Sequence, residues 1–70
     1  MTGEYQVTIN GERHIFGAPP TLREVLAHLG LESDRVAIEL NRTIVKKNLW
    51  DATTVAHGSE LEIVQFVGGG

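Results

Sequence analysis

From Tyr5 the chain alternates: Tyr5, Val7 and Ile9 fall on one side, Gln6 and Thr8 on the other. That period of two marks a half-buried strand. Asn10-Gly11 follows, and because both residues tolerate positive φ the pair predicts a tight hairpin. Residues 13–16 read as the returning strand. Gly17-Ala18-Pro19-Pro20 ends it, since proline brings no N–H to a ladder and restricts the residue before it. The period then changes. Leu22, Val25, Leu26 and Leu29 stand at i, i+3, i+4 and i+7, one stripe of a helix. Thr21 and Glu24 have capping-box spacing, and Gly30 stands where a left-handed cap is needed. The expected helix is about three turns long, with one buried face.

Alternation returns with Val36, Ile38 and Leu40 against Ala37 and Glu39, a third strand. Asn41-Arg42 predicts a turn into a short fourth strand over residues 43–45. Leu49-Trp50 is an apolar pair in an irregular stretch, with Trp50 expected on the rim of the core. Residues 53–57 are weakly patterned, Gly58-Ser59 is a further turn, and residues 60–67 form the last strand. Hairpin-connected strands around one helix predict an α+β domain. If the first and last strands are central neighbours, they run parallel with the helix in the crossover. That is a β-grasp, ubiquitin-like arrangement: a mixed sheet of four to five strands packed on one helix. The expected division is a β-grasp domain over residues 1–67 and a flexible glycine tail over residues 68–70.

Composition narrows the function classes. Seventy residues, 41% of them hydrophobic, suit one domain with a small core. There is no cysteine, which removes disulfides, thiolate metal ligands and any side-chain persulfide or thioester. A net charge of −3 argues against binding a phosphate backbone. No apolar run is long enough to span a bilayer and no secretory signal is visible, so a cytoplasmic protein is expected.

The chemistry suggested by the chain lies at Gly68-Gly69-Gly70, which follows directly on the hydrophobic run of the last strand. Three residues without Cβ atoms make a slender segment with an extended reach of roughly 10 Å, able to enter a narrow channel. A terminal carboxylate at Gly70 is a poor electrophile, but conversion to an acyl-adenylate supplies a good leaving group for a sulfur nucleophile to displace. The competing reading is a featureless end that is simply disordered. Beside the tail, Val64, Phe66 and Val67 are candidate partner-binding residues. Leu61 and Ile63 are expected to face the core, with Glu62, Val64 and Phe66 on the opposite face. That face is either a docking patch or covered by a neighbouring segment.

Val36-Ala37-Ile38-Glu39-Leu40-Asn41, Ile44-Val45, Trp50, Gly58, residues 60–64 and the end Phe66-Val67-Gly68-Gly69-Gly70 together resemble the ThiS family. These are sulfur carrier proteins of thiamine biosynthesis. The resemblance covers essentially the whole chain and implies a β-grasp fold. It implies that a ThiF-like adenylating enzyme, related to ubiquitin-activating proteins, uses ATP to activate Gly70. It also implies that the resulting thiocarboxylate passes sulfur to a ThiG-like thiazole synthase. The carrier itself would be a protein co-substrate, with no enzyme activity and no bound cofactor. Two departures concern loop shape: Lys46 stands where many members have proline, and His57 and Ser59 flank Gly58 where many have acids. Two alternatives stay open. One is another thiocarboxylate carrier or modifier, such as a molybdopterin-synthase small subunit. The other is a non-catalytic ubiquitin-like interaction module.

The remaining polar residues suggest less. Arg42, Lys46 and Lys47 form a small basic group that reads as either a steering patch or a solvated loop. His14, His28 and His57 are scattered without ligand spacing, so no metal site is expected. Ser33 and Ser59 have no base nearby in sequence.

Overall fold

The computed structural model describes residues 4–67. Strand β1 (Tyr5–Ile9) and strand β2 (Glu12–Phe16) form an antiparallel hairpin. Asn10 and Gly11 take φ of 51° and 85° at its tip, the mirror-image turn whose twist suits two right-twisted strands. Helix α1 (Leu22–Leu29) follows, then a 3-10 turn (Ser33–Arg35), strand β3 (Val36–Leu40) and strand β4 (Thr43–Val45). A second 3-10 turn (Lys47–Leu49) and an irregular stretch lead to strand β5 (Glu60–Gln65). The sheet order is β2-β1-β5-β3-β4. The first and last strands are therefore central neighbours, and they pair in parallel, Thr8 with Glu60 and Ile9 with Leu61. All other pairs are antiparallel. This is the α+β, β-grasp architecture.

Helix α1 covers one face of the sheet because its stripe and the inward positions of the strands are apolar together. Leu22, Val25 and Leu26 pack with Val7, Ile9, Val36, Ile38, Leu61 and Ile63, and Leu29 lies partly buried at the edge. Each such side chain removed from water contributes about 1.5–3 kcal/mol. Both helix ends are set by sequence. The Thr21 hydroxyl accepts from the Glu24 amide, and the Glu24 carboxylate accepts from the Thr21 amide. Gly30 adopts φ 72°, and the amide of Leu31 reaches back to the Leu26 carbonyl. Those stops leave 8 helical residues, just over two turns and fewer than the spacing predicts, because Thr21 is extended and Gly30 left-handed.

Two further expectations, on Trp50 and on the end of the last strand, are corrected. Trp50 lies inside the core at 2% exposure rather than on its rim, and its indole Nε1 donates to the Val45 carbonyl at 2.9 Å. The residue can be that deep because the donor its burial would otherwise orphan has a partner. Val55, in the weakly patterned stretch, is fully buried. It is held there by its amide's bond to the Pro20 carbonyl and by the adjacent Thr21–Thr54 bridge. The last strand ends at Gln65, short of residue 67. Its neighbour β3 begins at Val36, the partner of Gln65, so the ladder runs out there. Phe66 makes one further bond, from its amide to the Arg35 carbonyl.

Candidate functional site

Strand β5 carries the chain from the middle of the sheet towards the glycines. The end of strand β1 pairs with the start of β5 only, and turn side chains extend the hold. The Asn10 amide takes the place of a strand: its Oδ1 accepts from the Ile63 amide at 2.8 Å and its Nδ2 donates to the Ile63 carbonyl at 3.0 Å. Asn41 does the same kind of work at the other turn, its Oδ1 accepting from the Glu60 amide at 2.9 Å. Both asparagines hold positive φ, 51° and 49°, which their side chains tolerate better than most. The sequence marks them as turn residues; their second use, bonding a distant strand, leaves no local signal.

Alternation along β5 places Leu61 and Ile63 in the core and Glu60, Glu62 and Val64 on the open face. Register brings Ala37 beside Val64, and Glu39 beside both Glu62 and Ile44. Val64 is 56% exposed and Ile44 70%. Among the described residues, nothing covers this face. Phe66 and Val67 continue beyond the strand, 56% and 87% exposed. Ile44 escapes a reading of β4 alone. The two-residue Asn41-Arg42 turn nevertheless dictates that Leu40 pairs with Thr43 and Glu39 with Ile44. A hollow of about 350 Å³ lies on this side, lined by Glu39, Arg42, Glu60 and Glu62. The tail residues Gly68, Gly69 and Gly70 lie outside the described residues.

The basic group divides. Lys47 donates to Asp34 at 2.7 Å, and that hydrogen bond with the ammonium charge behind it holds the Asp34 carboxyl below its ordinary value. Arg42 instead lines the acidic hollow. His14 and His28, far apart in sequence, meet with Nδ1 and Nε2 at 3.3 Å, and Phe16 packs against the His28 ring. His57 Nδ1 accepts from the Gln6 amide. No group of three or more possible metal ligands occurs among the described residues. None of the described helices is long and apolar enough to cross a membrane.

The ThiS family model matches residues 3–70, the glycines included. The fold superposes on the crystal structure of a thiamine biosynthesis protein (ThiS) from Geobacter metallireducens with a TM-score of 0.79. The two are 34% identical, over 93% of this chain and 99% of that one. A thiazole synthase of Paramagnetospirillum magneticum is 43% identical over 65 residues, which make up 93% of this chain and 20% of that protein. The chain thus spans about a fifth of the length of the thiazole synthases it matches. The uncharacterized protein ycf40 of Porphyra purpurea is 36% identical over 64 residues, 91% of this chain and 90% of its own length. A match over nearly every residue, joined to the same fold at the same length, places the chain: it belongs to the ThiS family.

Proposed function

We propose that this protein is a sulfur carrier for thiazole formation in thiamine biosynthesis and that the carboxylate of Gly70 carries the sulfur. The observation behind this reading is that the family match extends through Gly68, Gly69 and Gly70. In the proposed cycle a ThiF-like enzyme joins the Gly70 carboxylate to the α-phosphorus of ATP and releases pyrophosphate. A sulfide-equivalent nucleophile then adds to the acyl carbon, the acyl–phosphate bond breaks, and AMP departs. The C-terminal thiocarboxylate that remains delivers its sulfur to a thiazole synthase. The protein acts as co-substrate in both steps; ATP is bound and consumed by the partner.

What the chain contributes is presentation. Strand β5 is fastened on both sides, by β1 with Asn10 and by β3 with Asn41, so the glycines leave from a fixed post. Gly68 and Gly69 form the segment that enters the partner's channel, and Val64, Phe66 and Val67 are contact residues beside it. The resemblance of part of the thiazole synthases to this chain supports thiazole synthase as the sulfur acceptor.

Intact-mass measurement tests the reading. After incubation with ATP, an adenylating enzyme and a sulfur source, one oxygen is replaced by sulfur in the C-terminal peptide. Deleting Gly69 and Gly70 abolishes that change and leaves the circular dichroism spectrum intact. A truncated protein that unfolds, or a mass increase located elsewhere, overturns it.

A further inference from the structure

We infer that His14 and His28 form a two-histidine site for a divalent transition cation, Zn²⁺ by its geometry, which ties the outer strand of the sheet to the helix. The inference does not depend on the proposed carrier function.

The spacing of the two rings carries it first. His14 stands on β2 opposite Val7, and His28 lies in the last turn of α1. They are 14 residues apart in sequence, yet His14 Nδ1 and His28 Nε2 face each other at 3.3 Å. Two imidazole nitrogens each 2.0–2.1 Å from a tetrahedral Zn²⁺ are about 3.3–3.4 Å apart. The folded chain therefore already holds the separation that a shared ion needs. Phe16 rests against the His28 ring, with centroids 4.6 Å apart, and limits its rotation. In the absence of an ion an N–H···N bond accounts for the contact. When an ion enters, the hydrogen between the rings passes to the outer nitrogen of the ring that held it. Both facing nitrogens then offer lone pairs, and no proton is lost.

A second group stands behind the pair. A ligating histidine ordinarily donates its other ring N–H to a carboxylate or carbonyl. Coordination through Nδ1 leaves the proton of His14 on Nε2, and Glu12 Oε1 lies 3.8 Å from that nitrogen. The Glu12 side chain is 83% exposed and free to close the remaining distance. The carbonyl end of α1, where His28 sits, also favours a cation. Ligand type selects the ion: imidazole suits Zn²⁺ and its neighbours, whereas Mg²⁺ and Ca²⁺ take oxygen. The described residues supply no third ligand, so water fills the other positions and the ion exchanges freely. Strand β2 is an edge that the sheet holds through β1 alone. An ion shared with α1 fastens that edge and stabilises the fold by mass action.

The test is a Zn²⁺ titration of the untagged full-length protein and of H14A, H28A, E12Q and H57A. Binding is read by calorimetry and by long-range 1H–15N NMR of the imidazoles. Wild type is expected to bind one Zn²⁺, with the shifts concentrated at His14 Nδ1 and His28 Nε2. Its urea midpoint is expected to rise with Zn²⁺ and not with Mg²⁺. H14A and H28A are each expected to lose both the binding and the rise, and E12Q to bind about tenfold more weakly. H57A removes a histidine elsewhere and is expected to bind as wild type does. His28 is exposed on the helix, so H28A keeps the test decisive even where H14A fails to fold. Zn²⁺ that binds H28A as tightly as wild type marks an adventitious ion only and overturns the inference. So do shifts centred on other residues, or wild type that does not bind.

Discussion

Two asparagine side chains decide how rigidly the centre of the sheet is held. Asn10 satisfies both backbone groups of Ile63, and truncation to alanine leaves a part-buried donor and acceptor without partners. N10A is expected to lose about 1–3 kcal/mol in urea denaturation, with the Ile63 amide exchanging faster than its neighbours. Asn41 has one such bond to Glu60, and the smaller loss expected there serves as an internal comparison. Electrostatics at single residues has a different scale. Asp34 is fully exposed, and its carboxyl is held low by Lys47 through a hydrogen bond and then through charge. A depressed carboxyl contributes stability above the unfolded-state carboxyl range and loses it as pH falls through the lower folded value. Water and salt keep that contribution small. In K47A the Asp34 titration, followed by NMR, is expected to move up towards the ordinary aspartate range; an unmoved titration rules out Lys47 as the cause.

Elements with a clean period were legible, and those without one were not. Tyr5–Ile9, Val36–Leu40 and the Leu22–Leu29 stripe announce themselves because each must bury one face, and burial at fixed geometry imposes a repeat on the sequence. The ends of α1 were equally readable, since Thr21, Glu24 and Gly30 act within one turn of their own position. T21A removes the hydroxyl that accepts from the Glu24 amide and is expected to cost about 1 kcal/mol, read as a lower denaturation midpoint with an unchanged slope. Trp50 and Val55 were misplaced or missed because they reach the core from irregular backbone, where no period exists to be found. Their depth depends on the Val45 and Pro20 carbonyls, contacts that only the folded chain creates. The pairing of His14 with His28 was illegible for the same reason, because it joins β2 to α1 across the packed layers. At the candidate site, the exposure of Val64, Phe66 and Val67 follows from alternation and from the end of the ladder. The acidic hollow needed the register of β3 against β5 and the turn that follows β3.

At the scale of the whole molecule, the order of the sheet differs from the order of the chain. The hairpin β1–β2, the helix and the hairpin β3–β4 are each local, but nothing joins the two hairpins into one sheet until β5 lies between them. Strand β5 is central, and it is the last strand of the sequence. During synthesis, then, the nascent chain holds two unjoined halves until residues 60–65 clear the ribosome exit, and the keystone arrives last. A fragment of residues 1–58 is expected to be largely unfolded by near-UV circular dichroism and to regain structure when a peptide of residues 59–67 is added. A chain built this way closes its sheet only once the strand leading to its glycines has been translated.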